Sequence, residues 1–191
     1  EDYNGVQTAS AEQHNFELDV DPYVKPGDRS SGLVPLVEPG PPGEQGAGDK
    51  RIQAYNFRLC MTKDPANRAP VPKPPDYDPW TYELLGRYLD AGWRHQFRKY
   101  DPIPNYKTDV NNYGAISTDF IGGNYDYPTA GYERRRQIFE AHKNYQSGLL
   151  WFMQNDPRVP DDVRQSMSEW GLCPDEFVDN GHWPREMYVR E

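Results

Sequence analysis

The sequence predicts an α+β fold with a small sheet, two or three packed helices and long ordered loops. Three observations support this prediction. Apolar residues recur at helical spacing between residues 130 and 155, and they alternate with other residues at strand spacing between residues 53 and 61. The 191 residues also include 19 prolines and 16 glycines, a share that places much of the chain in turns and loops.

Composition limits the domain organisation and the classes of partner. Hydrophobic residues make up only 36% of the chain and the mean hydropathy is -1.00, but 14 Tyr, 7 Phe and 5 Trp supply large apolar side chains. We expect a single domain over residues 1–191, loop-rich over 1–50 and with its main core over 51–191. The net charge of -9 without a basic stripe argues against a nucleic-acid partner, and no apolar run is long enough for a membrane span.

The first predicted strand covers residues 53–61, QAYNFRLCM. Its alternation separates an apolar face from a face that carries Asn56 and Arg58 between Ala54 and Cys60. The apolar face, which we expect in the core, consists of Tyr55, Phe57, Leu59 and Met61. We interpret the opposite face as a surface that meets something polar.

The first predicted helix has recognisable start and stop signals. Six prolines between residues 64 and 79 predict an extended connector. Asp78 then serves as the N-cap, Pro79 occupies the first helical position, and Gly92 lies just past the end.

The strongest predicted helix runs from about Ala130 to Asn155 and stops at Asp156-Pro157. Five residues at spacings of three and four form its core-facing seam: Ile138, His142, Tyr145, Leu149 and Phe152. We therefore expect His142 to be a core histidine. A shorter helix follows between Pro160 and Gly171, with Met167 and Trp170 facing inward.

Residues 100–128 are rich in Asn, Gly, Asp and Tyr and show no clear period. We predict a long irregular segment, of the kind that often carries function. Asp119 is its best single candidate for chemistry, because its neighbours are small or apolar. The alternative is an aspartate that caps a turn.

The C-terminal residues 183–191, WPREMYVRE, predict a second strand with Met187 and Val189 on one face. If this strand joins the sheet of the first one, Arg190 shares a polar face with Asn56 and Arg58, where a guanidinium could hold a substrate carboxylate. The alternative is structural ion pairing of these arginines with acids such as Asp119 or Glu186. His182 lies in the turn before the strand, a position that suits substrate contact as well as it suits a solvated histidine.

Common catalytic motifs are missing from the sequence. It contains no GxGxxG or GxxxxGK[ST] phosphate-binding turn, no HExxH and no GxSxG. Cys60 and Cys173 are the right number for one disulfide, but neither has a partner at zinc-ligand spacing, so we expect no metal site.

Four longer stretches carry a family resemblance. They are residues 55–79, 111–128 (NNYGAISTDFIGGNYDYP), 142–160 (HKNYQSGLLWFMQNDPRVP) and 170–191; residues 14–36 match more loosely. Together they resemble the large bacterial family of FAD-dependent oxidoreductases whose members are often labelled xanthan lyases.

The resemblance implies that the parent protein uses FAD, held by a discontinuous dinucleotide-binding domain with a GxGxxG turn. This chain lacks that turn, and it begins at Glu1. We therefore expect it to be the middle, substrate-covering section of a longer flavoprotein and to bind no cofactor by itself. Its partners would be the FAD-binding domain of the same parent chain and a small-molecule or carbohydrate substrate, with Asn56, Arg58, Asp119, His182 and Arg190 as substrate-side candidates.

A second interpretation is a carbohydrate-recognition module of a polysaccharide-processing protein. Abundant Trp and Tyr, many acidic groups and loops rich in Asn, Gly and Tyr motivate it. Against it, most of these aromatic residues fall at core positions of predicted helices.

Overall fold

A four-stranded antiparallel sheet underlies the fold. The computed structural model describes residues 15–41, 43–44, 46–95, 99–111 and 114–190, so residues 1–14 of the predicted loop-rich segment lie outside the described residues. The strands are β1 (Leu59–Thr62), β2 (Tyr100–Ile103), β3 (Lys107–Val110) and β4 (Gly171–Leu172). Their order in the sheet is β2-β3-β1-β4.

Three α-helices complete the fold: α1 (Glu83–Asp90), α2 (Tyr132–Asn155) and α3 (Asp161–Ser168). Buried apolar side chains from β1, β3, α1, α2 and α3 form one core cluster. The predicted α+β fold, with a small sheet and three helices, is confirmed. Among the described residues, no helix combines the length and the apolar character needed to cross a membrane.

The predicted signals at the ends of α1 are confirmed. The Asp78 carboxylate accepts a hydrogen bond from Trp80 N at 2.9 Å and caps a 3-10 turn, Pro79–Tyr82, that leads into α1. Past the end of α1, Gly92 has a φ of 108°, a backbone conformation that favours glycine.

The predicted seam of α2 is buried along its whole length. His142 in this seam is a core histidine, as predicted, and its Nδ1 lies 2.8 Å from Ile138 O. Burial lowers the pKa of His142 below its ordinary value of 6.5. The long amphipathic helix therefore supplies one wall of the core and a neutral imidazole within it.

The first predicted strand is only partly correct, because β1 begins at Leu59 and residues 53–58 pair with other groups. Gln146 of α2 takes the place of a neighbouring strand: its Oε1 accepts from Phe57 N at 2.7 Å and its Nε2 donates to Phe57 O at 3.1 Å. The predicted apolar face is buried all the same. On the opposite face, which we expected to be a surface, Asn56 is fully buried.

The prediction of an irregular segment over residues 100–128 is wrong for its first part, which forms the β2–β3 hairpin. The connecting turn includes Asn105 and Tyr106, with φ values of 65° and 59°. The hairpin lacks apolar alternation because β2 is an exposed edge strand with a proline, Pro102, and β3 buries the polar residues Lys107 and Thr108. Residues 112 and 113 of this segment lie outside the described residues.

The predicted C-terminal strand is also wrong for the described residues 183–190. They form only one antiparallel bridge, Asn56 with Tyr188. Met187 is 8% exposed and Val189 is 49% exposed, so the two do not share a buried face. A single bridge cannot hold a strand, and Pro184 has no N–H to extend the pairing.

Candidate functional site

Asp119 is the centre of a buried polar cluster that we call the Asp119 cluster: Asn56, Asn111, Asp119 and Arg190. Oδ1 of Asp119 accepts from Asn56 Nδ2 at 2.8 Å and from Arg190 Nη2 at 3.0 Å. The same Asn56 Nδ2 lies 3.3 Å from Asn111 Oδ1. Three of the predicted site residues, Asn56, Asp119 and Arg190, therefore meet.

Backbone contacts from two directions hold the Asp119 cluster in place. On one side, Tyr188 N donates to Asn56 O at 2.7 Å, which brings Arg190 close to Asp119 two residues later. On the other side, Asp119 N donates to Ser117 Oγ at 3.2 Å, and the Tyr145 hydroxyl of α2 donates to Ser117 O at 2.7 Å. The cluster is thus anchored to residues 188–190 and to the longest helix, α2.

The Asp119 cluster is largely withdrawn from water. Asp119 is 6% exposed and Asn56 is fully buried. Within the described part of the chain, three buried polar atoms at or beside the cluster have no hydrogen-bond partner: Asn56 Oδ1, Thr118 Oγ1 and Arg190 Nε. Buried polar atoms are normally paired, either with protein groups or with ordered water.

A cavity of about 300 Å³ lies beside Asp119. Its walls are formed by side chains from three short stretches together with Phe16 and Tyr145: residues 35–38, residues 81, 82, 84 and 85, and residues 115, 116 and 119–121. Phe120 stacks on Tyr145 with ring centroids 4.5 Å apart, which gives one wall a packed aromatic surface. A concave, mostly apolar surface with a few convergent polar groups is typical of small-molecule sites.

The polar groups that line the cavity favour a ligand that donates hydrogen bonds. Asp119 and Glu38 are its two ionisable acids, and no Lys, Arg or His of the described residues lines it. Burial, together with nearby Glu38, raises the pKa of Tyr125 to about 12, so this neighbour of Glu38 stays protonated. The hydroxyls of Tyr82 and Tyr145 already donate to backbone carbonyls, which leaves carboxylate oxygens as the main polar feature of the cavity.

Arg58 lies beside the Asp119 cluster and is linked to it through an aromatic ring. Its guanidinium forms a bidentate pair with Asp109 of β3. The guanidinium carbons of Arg58 and Arg190 lie 5.6 Å and 5.2 Å from the ring centre of Tyr188. The donor fork of Arg58 is thus engaged by an acid of the neighbouring strand β3.

His182 belongs to a different part of the surface. It has a φ of 65°, and its Nδ1 lies 3.2 Å from Glu176 O. No hydrogen bond or ion pair among the described residues joins it to Asn56, Asp119 or Arg190. The described residues also contain no group of three or more His, Cys, Asp or Glu side chains that could hold a metal ion.

Sequence reasoning missed the cavity and two supporting residues, Ser117 and Tyr145. Tyr145 was assigned to the helix seam, and its hydroxyl contact with the 115–121 loop has no local signature. The cavity is lined by three short stretches of sequence and by Phe16 and Tyr145, so no single stretch indicates a pocket.

Comparison with known proteins agrees with the resemblance. A sequence model of the family described as FAD dependent oxidoreductase matches residues 4–191, which include the Asp119 cluster and all walls of the cavity. Comparisons with curated proteins and with solved structures found no significant match. Neither a bacterial source nor polysaccharide cleavage follows from the family match. Because the match covers almost the entire sequence, the chain belongs to the FAD-dependent oxidoreductase family.

Proposed function

We propose that this chain forms the substrate-covering section of a flavin-dependent oxidoreductase and that the substrate occupies the cavity beside Asp119. The carrying observation is the cavity itself: an apolar and aromatic pocket that contains one buried carboxylate held by Asn56 and Arg190. Such a pocket suits a small substrate that has an apolar body and a hydroxyl or ammonium group. The FAD-binding domain of the same parent chain is the partner of this section.

The residues present do not fit the whole cofactor that the family implies. The FAD pyrophosphate needs backbone N–H groups at a glycine turn between a strand and a helix N-terminus. Among the described residues, β1 leads into the 3-10 turn Pro65–Asn67 and not into an α-helix. The helix α2 follows a glycine, Gly131, but a Cβ added at Gly131 would meet no atom within 4 Å, so no close backbone approach requires a glycine there. We therefore assign no cofactor-binding role to them.

The side chains of this section act on the substrate by binding and orienting it. Asp119 is an acceptor, and its pairing with Arg190 keeps the carboxylate charge compensated inside the protein. The aromatic wall of Phe120 and Tyr145 excludes water from the pocket and holds the apolar body of the substrate. Arg58 and His182 remain candidate substrate contacts from the sequence, with no contact that links them to the cavity.

The experiment uses the full-length flavoprotein and fills the cavity with a larger side chain. Ile116→Trp places an indole in the cavity, while Ile103→Trp on the exposed edge strand β2 is the matched control. Candidate substrates that carry a hydroxyl or amine are screened anaerobically for bleaching of the visible flavin band. We expect a substrate that bleaches the wild-type flavin to lose at least tenfold in rate with Ile116→Trp and to be unaffected by Ile103→Trp.

Two outcomes would contradict the proposal. Equal flavin reduction in both variants would mean that substrate does not use this cavity. Loss of bound flavin from Ile116→Trp alone would mean that the cavity receives the FAD-binding domain and not the substrate.

A further inference from the structure

We propose that Cys60 and Cys173 are an intramolecular disulfide site, a modification that links β1 covalently to the C-terminal segment, residues 171–190. Both cysteines are free thiols in the structure, with their Sγ atoms 3.1 Å apart. They are separated by 113 residues in sequence, so the fold and not chain proximity brings them together.

The sheet register places the two cysteines opposite each other. Met61 of β1 pairs with Leu172 of β4, and Thr62 pairs with Gly171. One position further along, the same antiparallel register sets Cys60 against Cys173. Facing residues in antiparallel strands have Cα atoms about 4.5–5.5 Å apart, within the span of about 4.4–6.8 Å that a disulfide bridges.

The surroundings of the two thiols give them different roles in exchange. Cys173 is fully buried, whereas Cys60 is partly exposed and can be reached by a small disulfide. Burial raises the pKa of both thiols above the ordinary range, Cys173 more than Cys60. Because the thiolate is the attacking species, we expect slow exchange at neutral pH and faster exchange at mildly alkaline pH.

The reaction requires a disulfide oxidant such as glutathione disulfide. The Cys60 thiolate attacks one sulfur of the oxidant, forms a mixed disulfide and releases one glutathione thiolate. The Cys173 thiolate then attacks the Cys60 sulfur, forms the Cys60–Cys173 bond and releases the second glutathione. The two protein thiols lose two electrons and two protons, and one glutathione disulfide becomes two glutathione thiols.

The bond would fix the segment that completes the Asp119 cluster. Residues 171–190 contain Tyr188, which bridges to Asn56, and Arg190, which pairs with Asp119. A link across 113 residues strongly restricts the unfolded chain. We expect the melting temperature of the oxidised chain to exceed that of the reduced chain by roughly 5–15 °C.

The test uses the reduced 191-residue chain, incubated while folded with glutathione disulfide at about pH 8.5, where thiol exchange is faster than at neutral pH. Remaining thiols are alkylated in denaturant, and the protein is digested with trypsin without reductant. We expect the digest to contain a linked pair of peptides, residues 59–63 and 165–185. Before digestion, the intact monomer should be about 2 Da lighter than the reduced chain. The rise in melting temperature is measured on the same sample and disappears when reductant is added.

Cys60→Ser is the matched control, because it retains Cys173 and removes only the partner thiol. It yields no linked peptides and no rise in melting temperature with oxidant. The proposal is wrong if both wild-type cysteines remain alkylatable, if they carry only glutathione adducts, or if they link two chains. An internal link that leaves the melting temperature unchanged would also overturn it, since the bond would then not lock the C-terminal segment.

Discussion

Asp119 illustrates how a single buried carboxylate organises residues that are far apart in sequence. Its Oδ1 accepts hydrogen bonds from Asn56 and Arg190, and the Arg190 side chain is only 18% exposed. Removing one partner of such an ion pair leaves the other charge without compensation in a poorly solvated place. The stability of the fold and the geometry of the candidate site therefore depend on the same contacts.

Replacing Asp119 should consequently be costly. We expect Asp119→Ala to lower the free energy of unfolding by about 3 kcal/mol, measured by urea titration. Asp126→Ala is the matched control, because it breaks the exposed pair with Arg134 and should leave the midpoint almost unchanged. Similar losses in the two variants would show that the buried position of Asp119 has no special energetic weight.

The buried imidazole of His142 should make the stability of the fold depend on pH. Burial lowers its pKa in the folded chain below the ordinary 6.5, whereas in the unfolded chain the imidazole takes up a proton near that value. The unfolded state therefore binds more protons as the pH falls, and the free energy of unfolding decreases between about pH 7.5 and about pH 5. Urea titrations across this range should show a flatter profile for His142→Gln than for the unmodified chain, and an equally steep profile for the two would contradict the prediction.

At the scale of elements, the contact between α2 and the turn before α1 depends on a glycine. A Cβ at Gly148 would overlap the hydroxyl of Tyr82, which donates to Tyr145 O. By contrast, a Cβ at Gly86 in α1 would meet its nearest atom, in the Phe152 ring, at 3.7 Å, an ordinary contact distance. Of these two helical glycines in the same core, Gly148 has no room for a side chain, whereas the position of Gly86 can accept a methyl group.

Alanine substitution at these two glycines should change the free energy of unfolding in different directions. We expect Gly148→Ala to lower the free energy of unfolding by about 1–3 kcal/mol, since the overlap outweighs the helix preference of alanine. Gly86→Ala should leave stability unchanged or raise it by up to about 1 kcal/mol. Thermal melts followed by circular dichroism distinguish the two, and stabilisation by Gly148→Ala would contradict the close approach of Tyr82.

The same helix provides a test of the buried seam. Leu149 is fully buried in the core, so Leu149→Ala should cost about 2–5 kcal/mol of stability. Gln137→Ala, on the exposed face of α2, is the control and should change stability little. Equal melting temperatures for Leu149→Ala and the unmodified chain would show that the seam contributes little to the core.

At the scale of the whole molecule, the chain belongs to a flavoprotein family but provides no pyrophosphate cradle in its described residues. We predict that the 191-residue chain, incubated with FAD and then desalted, retains no visible flavin absorbance and shows no oxidoreductase turnover. The longer flavoprotein that we propose as its parent, treated in the same way, is the positive control. Stoichiometric flavin on the short chain would show that the cofactor is bound without the glycine turn.

The helices and the main core were predictable from the sequence because their signals are local. Asp78 and Gly92 mark the ends of a helix by backbone chemistry, and the seam of α2 follows from the helical repeat. The apolar face from Tyr55 to Met61 is buried as predicted even though only its last part is in a strand, because burial of apolar side chains is favourable whether or not the backbone pairs in a sheet.

The strand boundaries and the candidate site were harder to predict from the sequence. The β2–β3 hairpin lacks apolar alternation, since one strand is an exposed edge and the other buries Lys107, which pairs with Asp175 and Glu176. Asn56, Asp119 and Arg190 are the three candidates that meet. The sequence predicts a shared polar face only for Asn56 and Arg190, through a strand that does not form over the described residues 183–190, and it leaves ion pairing with Asp119 as an alternative. Their shared contact, and the cavity beside it, required the packing of α2 and of the C-terminal segment.

The sequence by itself determined the fold class, the helix ends, the buried faces and the family, all of which depend on residue order over short distances or on long matching stretches. The tertiary structure alone decided that Gln146 substitutes for a strand beside Phe57 and that Asp119 receives Asn56 and Arg190, across separations of 89, 63 and 71 residues. It also decided that two cysteines face each other. The physical reason is that such pairings depend on which surfaces pack together, and no periodicity within one segment encodes the partner from another.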